Sequence, residues 1–268
     1  MAGGYVGKYC IIDLSTQKTE VIEPGDEFYQ KYLAGYGMGA AILTERQKPG
    51  IDPLSPEAHL GFCSGLLSGT GSSFSGRFMI VGKSPLTGGW GDANSGGFLS
   101  REIKRTGYDA VFFTGVAQTP TWVYITESGV EFKDATALMG MDNVETNAAI
   151  KNELGEKKAQ VASIGPAGEK LSLISGVTTD DGRIAARSGL GAVMGSKNLK
   201  AVAFRGNLDI PIGKPTALKA LNKQLREDYK QSSGGDRFTV KIMGFVSKII
   251  ARTGASPGAA KNSMVREI

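Results

Sequence analysis

Cysteine and histidine are almost missing from this chain: Cys10, Cys63 and His59 are the whole supply. Two cysteines cannot build a disulfide framework, so a cytoplasmic setting is expected. One histidine excludes most histidine-rich metal sites, and without a Cys-x-x-Cys pair the chain cannot ligate an iron–sulfur cluster by itself. A Ser-His-Asp or Cys-His constellation cannot be assembled either. No apolar run reaches the roughly 18 residues that a membrane span needs. The start, "MAGGYVGKYC", lacks the basic-then-apolar layout of a secretory signal. The net charge of +5 is scattered, with no basic stripe interleaved with aromatics, so nucleic acid is not indicated.

Glycine is what the chain has in excess, 38 of 268 residues, where about 7% is usual. The glycines stand beside Ser, Thr, Asn and Pro, between β-like segments, a pattern that predicts turns and close approach of backbone to a ligand. The extreme case is "TGGWGDANSGG", Thr87 to Gly97, small residues around one tryptophan.

Strands and helices alternate along the chain. "KYCIIDLS" and "KTEVIE" predict a hairpin turning at Thr16–Gln17. Helices are predicted from Glu27 to Leu33, from Met38 to Arg46 and from Asn143 to Leu154, the last with Val144, Ala148 and Ile150 as its apolar side. "LGFCSGLL", "RFMIVGKS", "AVFFTGVA", "TWVYIT", "AQVASIGPAG", "LSLISGVTT" and "AVAFRG" have strand character. "NLDIPIGKP" reads as a linker, followed by an amphipathic helix from Thr216 to Gln231 and an apolar, cationic one in "VKIMGFVSKIIAR". The organisation predicted is one domain over 1–208, then a linker and the incomplete helical start of a second domain over 209–268.

An internal echo runs through the first domain. "NSGGFLSREIKRTGYDAVFFTG" and "RSGLGAVMGSKNLKAVAFRG" share Ser-Gly, a short helix with Lys, then Ala-Val-x-Phe-x-Gly. Ser95 to Ala110 is 15 positions and Ser188 to Ala201 is 13, a difference of two. Either two glycine-rich stretches coincide by chance, or a duplicated unit offers two similar loops to a ligand with two similar halves.

Backbone N–H groups in glycine turns suit phosphate oxygens. Asn94 and Ser95 can add a carbonyl and a hydroxyl to such a site, and Arg77, Arg183 and Arg187 a guanidinium each. "GAVMGSK" misses the phosphate-loop consensus by one residue, and "GYGMGA" lacks the unit that follows a dinucleotide fingerprint, so neither is taken as a nucleotide site. Asp92, Asp180 and Asp181 lie near the glycine segments, where aspartate most often caps a turn.

The segments "YVGKYCIIDLST", "YLAGYGMGAAIL", "SGRFMIVGKSPLTG", "ANSGG", "GYDAVFFTGVA", "IGPAGE" and "GLGAVMGSKNLKAVA" resemble, in order from Tyr5 to Gly206, the N-terminal domain of the aldehyde:ferredoxin oxidoreductase family. The resemblance implies an α+β fold of two β-sheets with pseudo-two-fold symmetry and helices on the outside. It implies a cradle for tungsten (or molybdenum) held by two molybdopterin cofactors, with Mg2+ joining the pterin phosphates. Residue by residue, Arg77, Asn94, Ser95, Gly96, Arg183, Ile184 and Arg187 are implied at the cofactor, with Asn94 and the Ile184 carbonyl at the Mg2+. Ile184, Ala186 and Ser188 stand where the family carries smaller residues. The implied reaction is oxidation of an aldehyde to a carboxylate, with ferredoxin as acceptor. Family enzymes are more than twice as long, and their iron–sulfur cysteines and acid–base residues lie in domains this sequence does not contain. Those domains, as a separate chain or in a homodimer partner, are expected partners. The alternatives are a part of a related aromatic acyl-CoA reductase, or a non-catalytic pterin-binding module.

Overall fold

The computed structural model describes residues 3–179 and 182–232, which fall in two compact units, one ending at Pro215 and one beginning at Thr216. The first unit opens with the expected hairpin, β1 (Tyr9–Asp13) against β2 (Lys18–Ile22). Then come α1 (Asp26–Tyr32), α2 (Tyr36–Arg46), β3 (Leu60–Ser64), β4 (Arg77–Lys83), β5 (Trp90–Gly96), α3 (Leu99–Arg105) and β6 (Ala110–Thr114). The same plan repeats: hairpin β7 (Thr121–Thr126) and β8 (Gly129–Asp134), α4 (Asn143–Leu154), β9 (Gln160–Ser163), the short α5 (Pro166–Glu169), β10 (Val177–Thr179), β11 (Arg183–Ala185), α6 (Leu190–Ser196) and β12 (Leu199–Phe204).

Two six-stranded sheets result, ordered β2-β1-β6-β3-β4-β5 and β8-β7-β12-β9-β10-β11. In each, the closing strand (β6 or β12) lies parallel to the first strand of its hairpin, and the remaining pairs are antiparallel. The echo in the sequence is therefore a duplicated topology.

Strand alternation divides the apolar side chains between layers. Cys10, Ile12, Phe62, Ile80 and Val111 of the first sheet face Val123, Ile125, Ala162 and Val202 of the second. Tyr9, Ile11, Met79, Val81 and Phe112 point the other way, onto Tyr29, Met38 and Ile42 of α1 and α2. Trp122, Val161 and Ala203 pack against Ile150 of α4. Thus α1, α2 and α4 cover outer faces as expected, whereas α3 and α6 lie between the sheets. Leu99, Ile103, Leu190, Val193 and Met194 of these two helices belong to the inter-sheet core.

Several local expectations are corrected. Trp90–Gly96 is a strand, not a glycine loop, because the apolar strand β4 pairs with it over its whole length, from Arg77↔Gly96 to Lys83↔Trp90. The loops at the two ends of the echo are consequently not equivalent: Asn94–Gly96 ends β5, while Arg187–Gly189 is a turn after β11. In "LSLISGVTT" only Val177–Thr179 is strand; Leu171 has φ 56° and Ser175 Oγ closes a turn onto Ser172 O. The buried side of α4 is Thr146, Asn147 and Ile150, with Val144 and Ala148 exposed, because a capping box between Asp142 and Glu145 sets the helix phase. The linker "NLDIPIGKP" is tied down through Leu208 N–H to Arg105 O and Gly4 N–H to Pro211 O. The amphipathic helix α7 spans Pro215–Ser232. The helix predicted in "VKIMGFVSKIIAR", and Asp180 and Asp181, lie outside the described residues.

The glycines of "GAVMGSK" serve packing. A Cβ at Gly191 would stand 2.6 Å from Gly176 O, and one at Gly195 would collide with Gly168 O. We expect Gly195→Ala to lower stability by about 1–3 kcal/mol, read as a drop in the urea midpoint at unchanged m-value. An unchanged midpoint would show that α5 yields freely.

Two buried lysines, Lys104 in the last turn of α3 and Lys197 just after α6, occupy matching places in the two halves. Lys104 Nζ donates to Gly4 O and Leu66 O, Lys197 Nζ to Pro56 O and Gly115 O. Burial lowers each ammonium to about 8 from an ordinary value of 10.5. Between those limits the unfolded chain holds protons that the folded chain has released, so stability rises with pH across that window. The expected slope is up to about 1.4 kcal/mol per pH unit for each lysine. Urea unfolding at pH 7.5, 8.5 and 9.5 tests this, and Lys104→Met should flatten the trend; equal slopes in both proteins would refute it.

Candidate functional site

Arg77 opens β4, and its backbone is fixed before its side chain does anything. Its carbonyl accepts hydrogen bonds from Gly65 N–H at 2.9 Å, Ser68 Oγ at 3.1 Å and Ser100 Oγ at 2.9 Å. Ser100 sits in the first turn of α3 and Ser64 Oγ donates to its carbonyl, so the ends of β3, β4 and α3 are knotted together. The Arg77 side chain is left exposed on the outer face, where Nη1 donates to Asn94 Oδ1 at 2.6 Å.

Asn94 lies on β5 opposite Met79 and is steadied from its other end by an Nδ2–H to Met79 Sδ contact of 3.3 Å. Strand alternation puts Trp90, Asp92, Asn94 and Gly96 on one face of β5. Ser95 points the opposite way: its side chain is buried, and its hydroxyl donates to Gly96 O. On the outer face Ser95 therefore has only backbone to offer.

Gly96 is the meeting point of the two halves. A Cβ there would stand 3.8 Å from Arg183 Nη1 and 3.8 Å from Arg77 Nε and Cδ, with nothing nearer. Arg183 comes from β11, the edge strand of the other sheet. The fold thus brings together Arg77, Asn94, Gly96 and Arg183, residues spread over more than a hundred positions of sequence. Ile184, the next residue along β11, is exposed to 51%. Arg187 is exposed in the turn that follows, and no described contact joins it to the other four.

What holds β11 beside β5 is Ser188. Its hydroxyl accepts from Asp92 N–H at 3.1 Å and donates to Asp92 O at 2.9 Å, bridging the two edges. Ser188 has φ 68°, the left-handed region that favours glycine. The two hydrogen bonds offset that conformation.

Sequence reasoning misses Tyr36 as a neighbour of the site and misreads Asp92, expected to cap a turn. Tyr36 lies at the start of α2, and hydrogen bonding of its hydroxyl to Asp92, followed by burial, raises its pKa above the ordinary 10. Asp92 Oδ1 also accepts Trp90 Nε1–H at 3.0 Å. Asp92 thus organises a row of side chains on β5 instead of capping a turn. No local signal links Tyr36 to Asp92 in a sequence where 56 positions separate them.

The donor set suits an anion. Arg77 and Arg183 form no ion pair among the described residues, and both guanidiniums flank a strand position with no side chain. Arg77 needs only one of its five N–H donors for Asn94, so the others remain for phosphate oxygens. Asn94 Oδ1 keeps a second lone pair for a cation. The described residues contain no group of three or more His, Cys, Asp or Glu side chains able to hold a metal. A metal at this edge therefore brings most of its ligands with it. These features fit a phosphate-bearing cofactor that supplies its own metal ligands.

Comparison with known proteins identifies the family. The family profile described as "Aldehyde ferredoxin oxidoreductase, N-terminal domain" matches residues 9–206. Tungsten-containing aldehyde ferredoxin oxidoreductases of Pyrococcus furiosus and Thermococcus kodakarensis are each 43% identical over 209 residues, covering 78% of this chain and 34% of theirs. An aliphatic sulfonate oxidoreductase, WOR-like subunit, of Pyrococcus furiosus is 31% identical over 222 residues, 77% of this chain and 35% of that one. Among solved structures, the active site complex BamBC of benzoyl coenzyme A reductase, in complex with 1,5-dienoyl-CoA, superposes with a TM-score of 0.85 at 35% identity. It covers 88% of this chain and 36% of its own. The chain spans about a third of the length of the curated relatives it matches. By the family match over most of its length, and by a duplicated two-sheet fold shared with a related enzyme, the chain belongs to the aldehyde ferredoxin oxidoreductase family and carries its N-terminal domain.

Proposed function

We infer that residues up to about 208 form the base of a tungsten–pterin site in an oxidoreductase that converts aldehydes to carboxylic acids, with ferredoxin as electron acceptor. The observation that carries this reading is Gly96, where two guanidiniums from two sheets converge on a strand position that lacks a side chain. When bound, the tungsten centre with its pterin dithiolenes supplies the two-electron redox chemistry. This chain's residues bind and orient.

Arg77 and Arg183 grip phosphate groups, one from each half of the duplicated fold, and match a ligand with two similar halves. Asn94 holds Arg77 in position and offers its carbonyl oxygen, with the Ile184 backbone carbonyl, to a Mg2+ between the phosphates. Gly96 admits the ligand to contact distance. Ser95 contributes backbone alone, and Arg187 supplies positive charge at the rim. The exposed side chains of Phe74, Phe98 and Ile184 beside these residues support a second wall made by the remaining two thirds of the family's architecture. That part would hold the iron–sulfur cluster and the acid–base residues. A cytoplasmic location goes with this reading and is supported by free, buried Cys10 and Cys63. No helix among the described residues is long and apolar enough to cross a membrane.

The likeness to BamBC supports a second reading, a part of a reductase acting on a coenzyme A thioester. The higher identity to the aldehyde enzymes favours the first.

The chain purified anaerobically from a tungstate-supplied host should carry tungsten and pterin, measured by elemental analysis and pterin fluorescence after oxidation. Arg77→Ala with Arg183→Ala should reduce both by about tenfold or more at unchanged melting temperature. Equal loading of the double variant counts against the assignment, whereas no loading in the wild type shows that the group needs the rest of the family's architecture as a cover. Aldehyde-dependent viologen reduction by this chain alone is expected to be absent.

A further inference from the structure

We propose that a cavity at the opposite end of β5 is a second binding site, for a small aromatic carboxylate. It is an open hollow of about 380 Å³, where the end of α2 and the Gln47–Gly50 segment meet the β4–β5 turn. That volume falls within the usual range of small-molecule sites. Its lining includes two lysines, Lys48 and Lys83, and no carboxylate.

Each polar or aromatic part is set up for a ligand. Lys48 forms no ion pair among the described residues. Lys83 Nζ donates one hydrogen bond to Ile51 O, which aims the ammonium and leaves two of its donors. Trp90 is 45% exposed, and its indole is fixed by Nε1–H to Asp92 before any ligand arrives. Gly89 has no left-handed φ, and a Cβ there would meet nothing closer than Thr87 Oγ1 at 3.8 Å. The fold does not need glycine at 89, just as it does not at 96, and in both places the missing side chain leaves room.

The chemistry follows from these groups. The indole face takes a planar ring by stacking, and the two ammonium groups take the carboxylate. The site is distinct from the arginine cradle: Trp90 and Gly96 share one face of an extended strand but stand about 20 Å apart. Binding here is independent of the tungsten–pterin cradle.

Benzoate titrated into the wild-type chain, followed by calorimetry and by tryptophan emission, tests the proposal. Trp122 is fully buried, so a change in emission reports Trp90. Saturable one-to-one binding is expected, weakened about tenfold or more by Lys48→Ala and by Trp90→Leu at unchanged melting temperature. Arg77→Ala with Arg183→Ala should leave it intact. No saturable binding up to about 10 mM overturns the site. So does loss of binding in the arginine double variant with retention in the Lys48 and Trp90 variants. Equal affinity for cyclohexanecarboxylate overturns the aromatic assignment, and equal affinity for benzyl alcohol overturns the role of the lysines.

Discussion

The hydroxyl of Ser188 between the N–H and carbonyl of Asp92 is the contact on which the cradle depends. Strands β5 and β11 are edges of different sheets and share no ladder, so nothing in sheet pairing brings Arg183 to Gly96. Filling between the sheets does part of it: α3 and α6 set the spacing at which both inner faces are buried. Ser188 then ties the turn after β11 to the middle of β5. A glycine at 188 would relax the φ of 68° and lose the bridge. Ser188 therefore exchanges backbone ease for a bridge between the sheets.

Duplication explains the frame, while the buried charges show how far the halves have diverged. Asp109 stands just before β6 and Lys200 is the second residue of the corresponding strand β12, each immediately ahead of the alanine that starts the shared Ala-Val-x-Phe pattern. Both are buried, with opposite charges. Asp109 accepts from Val6 N–H, Gly7 N–H and Tyr29 Oη, pinning the N-terminal segment and α1. Lys200 donates to Met141 O, Ile164 O and Glu169, pinning the segments around α4 and α5. A buried charge is tolerated where its hydrogen-bonding capacity is filled, and either sign meets that condition with the right partners. The same structural task, fastening a loop to the root of a central strand, has thus been solved twice with inverted chemistry.

Much of the frame was legible because its signals are local. The hairpin of β1 and β2 follows from alternation around a polar turn, and α4 from helical spacing over Asn143–Leu154. β5 was not legible: "WGDANSG" has little strand propensity and is a strand because β4 requires a partner. The placement of α3 and α6 between the sheets was likewise hidden, since a short apolar helix reads alike whether one face or all of it is covered. At the site, Arg77, Asn94, Gly96 and Arg183 stood out through resemblance, and the structure places them together. Ser95 shows the limit of motif reading, because one step along a strand reverses a side chain. Tyr36 and Asp92 meet only through tertiary packing of α2 on the first sheet.

The cradle's exposure bears on how it binds. A guanidinium facing water gains little from an anion, because solvent and salt screen the pair. Arg77 is nonetheless held at low entropic cost, with three donors fixing its carbonyl and Asn94 fixing its tip. Preorganisation removes part of the ordering cost of binding but does not lower the dielectric around the charges. Strong binding therefore calls for a cover over this face, and the apolar side chains of Phe74, Phe98 and Ile184 at its border offer a surface on which a cover can seat. The tight and the exposed parts of the site thus have different sources. Geometry comes from the duplicated fold of this chain, whereas the proposed grip of the arginines on a phosphate would depend on whatever excludes water from them.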